Sequence, residues 1–130
     1  MSSKKLGILV VSGVLERVQM AAMVASVGAV SGSQVTVLLS MNSLELFLKE
    51  GAPQAAPEGS FGRTMSGKNV PSFKQLLQHA IELGDAKVHP CSMAMDVLSL
   101  KPEQLDAMLE RPLGLTKFLS EGADGQMLTF

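Results

Sequence analysis

Leu6-Gly7-Ile8-Leu9-Val10-Val11 is an unbroken apolar run rich in β-branched residues, preceded by Lys5 and closed by Ser12-Gly13. A strand with water on one side alternates polar and apolar residues. A run without alternation is covered on both faces, and such strands belong to parallel sheets. Parallel neighbours need a crossover, and the next residues supply one. Val14 to Ser31 reads as a helix, with Glu16, Arg17 and Gln19 near its start and small residues Ala21, Ala22, Ala25, Gly28 and Ala29 further along. Its later turns carry no charge, which implies burial all round or a contact between subunits. Gly32-Ser33 ends this helix, Gln34 to Ser40 is a second strand of the buried kind, and Ser43 to Lys49 has helical spacing again. The order β-α-β-α is that of a doubly wound α/β domain.

Glu50 to Val70 breaks the rhythm with two Pro and four Gly, and reads as one long loop, residues 50–70, of the kind that serves as a lid or binding excursion. Arg63 and Lys68 within it are candidates for meeting an anion, or two solvated surface charges. Ser72-Phe-Lys-Gln75 matches a capping box, in which the Ser hydroxyl and the Gln side chain each satisfy a backbone N–H of the first turn. The helix it opens runs to Gly84, expected to take the left-handed terminal conformation. Lys101-Pro102 opens a short helix, Leu113 to Glu121 makes a last one, and Gln126 to Phe130 a terminal strand. The expected architecture is one α/β domain over residues 1–130, doubly wound, with a mainly parallel sheet of about five strands and helices on both faces.

Composition narrows the function. The chain has 130 residues, 46% hydrophobic and 18% charged, with a formal net charge of −1. The basic residues are scattered and there is no Trp or Tyr, so nothing favours nucleic acid. Met1-Ser2-Ser3-Lys4-Lys5 leads into a strand rather than a signal sequence, and Met20 to Val30 is too short to span a bilayer. One cysteine permits no internal disulfide, which fits a reducing compartment and a soluble, cytoplasmic protein. One Cys and two His without ligand spacing give no metal site, and no cofactor is expected.

That cysteine lies in Ala86-Lys-Val-His-Pro-Cys-Ser-Met-Ala-Met-Asp-Val-Leu98. Val88 and His89 close a short extended run, Pro90 breaks it, and Ser92 onward has the composition of a helix start. A thiol at a strand-to-helix junction meets backbone N–H groups without intrahelical partners, which stabilise a thiolate. Ligands in such sheets collect beyond the carboxyl ends of the strands, near the point where strand order reverses. Ser12-Gly13, the Ser40 to Ser43 segment with Asn42, and His89 to Met93 all arrive there. Cys91 is therefore the candidate nucleophile, with His89, Ser92, Ser12, Gly13 and Asn42 as supporting residues. His89 shares its strand parity and is either a proton acceptor or a hydrogen-bonded structural residue. With no second cysteine, dithiol chemistry is excluded, whereas carrying one extra sulfur as Cys–S–SH needs only one attacking sulfur. The inert alternative is a small buried hydrophobe in an oligomeric binding or assembly module.

Cys91-Ser-Met-Ala-Met-Asp-Val-Leu98, preceded by the helix ending Glu82-Leu-Gly84, resembles the cysteine motif of the DsrE/DsrF/DrsH-like family. The resemblance implies an α/β domain forming homo-oligomers, and a sulfurtransferase or sulfur-carrier role. In it Cys91 accepts sulfane sulfur, as persulfide or thiosulfonate, and passes it to TusA-type or rhodanese-like carrier proteins in sulfur trafficking or oxidation.

Overall fold

Lys5–Val10 (β1), Gln34–Leu39 (β2), Lys87–Pro90 (β3) and Gln126–Thr129 (β4) form a single sheet of order β3-β2-β1-β4 in which every neighbouring pair is parallel. The computed structural model describes residues 4–130, so the first three residues of the N-terminal stretch lie outside it. The register sets Leu6 beside Val35, Ile8 beside Val37 and Val37 beside Val88, and Val10 beside Leu39 and Leu39 beside Pro90. Alternation then turns these residues to one face and Gly7, Leu9, Thr36, Leu38, Lys87 and His89 to the other.

Leu15–Val30 (α1) and Phe73–Gly84 (α3) cover the first face. A methyl group placed on Gly28 would lie 2.8 Å from Leu6 Cδ2, and one on Gly84 would lie 2.5 Å from the carbonyl carbon of Ala29. Small residues thus set how closely α1 approaches both the sheet and α3. Leu115–Glu121 (α5) covers the opposite face, where Phe118 and Met127 fill the space above Gly7. Ile8, Val37, Leu38, Val88, Leu44 and Phe47 are wholly removed from water in the core, each worth about 1.5–3 kcal/mol of transfer free energy.

The sheet has four strands where about five were expected, and beyond β3 it ends in an irregular edge. Glu110 N–H donates to Val88 O (2.7 Å) and Leu113 N–H to Pro90 O (2.9 Å), so residues 110–113 run along β3. Pro112 has no N–H and restricts Arg111 before it, which prevents a regular ladder. Pro90 ends β3 without breaking it, because Cys91 N–H turns inward to Leu39 O while the nitrogen of Pro90 faces the irregular side.

Four further expectations change. Ser43 to Lys49 is a 3-10 segment, Met41–Phe47, rather than an α-helix. Ser43 Oγ donates to Val10 O (2.7 Å) and Ser40 O (2.8 Å), tying the turn to the end of β1, and Met41 enters it with φ of 52°. The 50–70 segment is ordered around a helix, Ser60–Ser66 (α2). Gly84 remains helical and Asp85 takes the left-handed cap, φ 57° and ψ 33°; the glycine serves the close contact with Ala29 instead. The capping box at Ser72 and Gln75 is present in both directions, at 3.1 and 2.9 Å. The uncharged later turns of α1 are not buried all round: Met20, Met23, Val27 and Val30 are exposed.

Candidate functional site

β3 delivers Cys91 to the carboxyl edge of the sheet as the N-cap of a six-residue helix, Ser92–Val97 (α4). Its N–H donates to Leu39 O (2.8 Å), which ties it to the end of β2, and its carbonyl accepts from Met95 N–H (3.0 Å). Ser92 N–H donates to Leu113 O (3.1 Å). No protein acceptor takes the Met93 and Ala94 N–H groups among the described residues, and the thiol makes no capping bond itself. Two backbone donors therefore stand free at the turn that carries the sulfur.

Cys91 is only 3% exposed in the single chain. Its cover includes the 110–113 edge, where Leu113 bridges Cys91 in parallel register. His89 helps hold that edge: its Nδ1 lies 2.8 Å from Arg111 O. A carbonyl oxygen only accepts, so Nδ1 carries the hydrogen, and Nε2 is the nitrogen left to accept a proton. The structural reading of His89 thus has a defined bond behind it. Ser92 lies near Gly114, where a methyl group would sit 3.6 Å from Ser92 Oγ.

Ser12, Gly13 and Asn42 form a separate cluster above β1 and β2. Asn42 N–H donates to Val11 O (3.1 Å), Ser12 Oγ accepts from Val14 N–H (3.1 Å), and a methyl group on Gly13 would strike Asn42 O at 2.8 Å. The strand order reverses between β1 and β4, because β4 joins the sheet on the far side of β1 from β2. Cys91, beyond the outermost strand β3, stands away from that reversal rather than in a crevice formed there. Among the described residues no group of three His, Cys, Asp or Glu is placed to hold a metal ion.

Arg63 and Lys68 part company. Arg63 lies exposed on α2, whereas Lys68 lines a cleft of about 470 Å³ under the 50–74 arm, bounded by Leu15, Gln19, Leu46 and Phe73. Glu16 anchors that arm, a role its sequence position did not reveal. Its carboxylate accepts from the backbone N–H groups of Glu58 (2.7 Å), Gly59 (2.9 Å) and Gly62 (3.1 Å), capping α2 from another helix. These bonds, the one from Glu58 foremost, hold the Glu16 carboxyl below the usual glutamate range. Gly62 permits the approach, since a methyl group there would meet the carboxylate at 2.5 Å. A carboxylate and the N–H groups it binds, more than forty residues apart, leave no periodic trace in sequence.

No helix among the described residues is long and apolar enough to cross a membrane. Solved structures share the fold, the two that follow among them. The YchN protein of E. coli superposes with a TM-score of 0.68 at 14% identity, the match covering 99% of this chain and 100% of that one. MTH1491 of Methanobacterium thermoautotrophicum, described as a protein of unknown function, superposes with a TM-score of 0.56 at 6% identity over 99% and 100% of the two chains. At such identities the likeness concerns architecture alone. No curated protein matches the chain in sequence. The model of one sequence family matches residues 54–130, a span containing Cys91 and the whole of α4, and its membership points to sulfur metabolism. The chain belongs to the DsrE/DsrF/DrsH-like family.

Proposed function

We propose that the protein is a sulfur carrier or sulfurtransferase in which Cys91 holds one sulfane sulfur. The observation that carries this reading is the position of the sole cysteine, on the turn from β3 into α4 beside the free N–H groups of Met93 and Ala94. In the first step the Cys91 thiolate attacks the terminal sulfur of a hydropersulfide donor, R–S–SH. The donor S–S bond breaks, RS⁻ leaves, and Cys91–S–SH forms with no net oxidation. In the second, an acceptor thiolate attacks the outer sulfur, forming its own persulfide and releasing the Cys91 thiolate. With thiosulfate as donor, sulfite is the leaving group. TusA-type or rhodanese-like proteins are the proposed acceptors, the cytoplasm the proposed compartment, and a homo-oligomer the proposed working form.

A second reading has its own support, the burial of Cys91: the cysteine is then a packing residue of a binding or assembly module. Intact mass after incubation with polysulfide, thiosulfate or tetrathionate separates the two. A sulfur adduct on the native protein that is absent from Cys91→Ser supports the carrier. No adduct with any donor, or an equal adduct on Cys91→Ser, leaves the packing role.

A further inference from the structure

The cleft under the arm has the composition of a binding site and is separate from Cys91. It lies at the carboxyl edge of the sheet, where the N-termini of α1 and α3 meet the 3-10 segment that follows β2, the edge at which open α/β sheets take ligands. Its volume of about 470 Å³ falls within the roughly 300–1,000 Å³ usual for small-molecule sites. Leu15, Leu46, Met65 and Phe73 give it apolar walls.

Its polar groups have unused capacity of definite kinds. Gln19 is 5% exposed; its Nε2 donates to Pro71 O (2.9 Å), and no protein donor reaches its Oε1 among the described residues. Lys68 has no carboxylate within ion-pair distance among those residues. Lys74, the second cation, is 2.9 Å from Asp106, and no carboxylate lines the cleft itself. At the start of α3 the capping box uses the N–H groups of Ser72 and Gln75, while those of Phe73 and Lys74 have no protein acceptor. The site therefore presents an apolar wall, one accessible acceptor on a largely buried side chain and a cationic, donor-rich rim.

We propose that this cleft binds a small amphipathic carboxylate of the N-acyl amino acid class. The acyl tail covers Leu15, Leu46 and Met65, the amide N–H donates to Gln19 Oε1, and the carboxylate meets Lys68 and the first turn of α3. Methionine methyl groups report it directly, because Met65 lines the cleft whereas Met20 and Met23 line a separate apolar groove on α1. Full-length protein carrying [methyl-13C]methionine is titrated with N-octanoylglycine and followed by NMR. The expected result is a saturable shift of Met65 with Met20 and Met23 unmoved. Lys68→Ala should weaken binding about fivefold, the upper range for an exposed ion pair, and the uncharged methyl ester should bind at least as weakly as that variant allows. Lys117→Ala, on α5, should change nothing, and Cys91→Ser should bind as the parent does. No saturable Met65 shift, a shift of Met20 and Met23 instead, or undiminished binding of the ester or of Lys68→Ala would each overturn the proposal. None of these readouts depends on sulfur transfer.

Discussion

Replacing Gly84 by alanine tests the packing that fixes the layer of α1 and α3 over the sheet. The added Cβ would lie 2.5 Å from both the carbonyl carbon and the Cβ of Ala29, and 2.6 Å from its oxygen. Two of those three atoms are backbone, so no rotamer change relieves the clash and the helices must separate. Forcing one extra carbon into such a contact costs about 1–3 kcal/mol, and the backbone partners place this case in the upper half. Alanine's better helix propensity returns at most about 1 kcal/mol, and less at the last residue of α3. The net loss is about 2 kcal/mol, which for a chain of this length lowers Tm by roughly 5–10 °C. Thermal and urea unfolding by circular dichroism measure it. Ala29→Gly removes only the Cβ, so Gly84→Ala should still destabilise in that background, by less than in the parent. An unchanged or raised Tm for Gly84→Ala, or complete rescue by Ala29→Gly, would refute the backbone contact.

Two other perturbations address the site and the arm. Because the folded-state pKa of Glu16 is lowered, its grip on the arm is fully present above the ordinary glutamate pKa and is lost as pH falls through the lower, folded value. The amide resonances of Gly59 and Gly62 should therefore titrate with a midpoint below the ordinary glutamate range, and Glu16→Gln should abolish that titration; a midpoint at or above that range counts against the anchor. His89→Ala removes the bond to Arg111 O, worth about 1 kcal/mol, and should speed alkylation of native Cys91 about fivefold through easier opening of the 110–113 edge. His89→Asn, able to donate to the same carbonyl, should label at a rate near that of the parent; slower labelling of both variants with an altered pH profile would make His89 a proton acceptor instead.

The sheet was legible because burial leaves a local mark: Leu6 to Val11 is apolar without alternation, Gln34 to Ser40 carries Val35 and the apolar run Val37-Leu38-Leu39, and the observed strands begin or end within one residue of those bounds. The Ser72 capping box was legible for the same reason, its partners being three residues apart. What escaped was set by distant contacts. Gly84 looked like a helix terminator until Ala29 was found against it. The stretch from 50 to 70 has the Gly and Pro content of a loop, yet Glu16 supplies the cap that lets Ser60–Ser66 form a helix. The cysteine's junction was readable from Pro90 and the residues after it; the edge that bridges it was not, since residues 110–113 have no periodic signal of their own.

That edge bears on the chemistry. A crevice at a strand-order reversal opens because successive connections leave toward opposite faces, and such a site is accessible by construction. Cys91 stands beyond β3 instead, two strands from the reversal beside β1, buried and bridged through its backbone by an irregular edge. That edge is held beside β3 and α4 by four hydrogen bonds: Glu110 to Val88, Leu113 to Pro90, Ser92 to Leu113, and His89 to Arg111. Each contributes about 0.5–1.5 kcal/mol net, so local opening is far less costly than unfolding the sheet. When Leu113 leaves, Ser92 N–H loses its acceptor and joins those of Met93 and Ala94 as a free donor. Opening of that edge thus adds a donor for the anion Cys91 would carry, and a persulfide at Cys91 should slow reclosure of the edge.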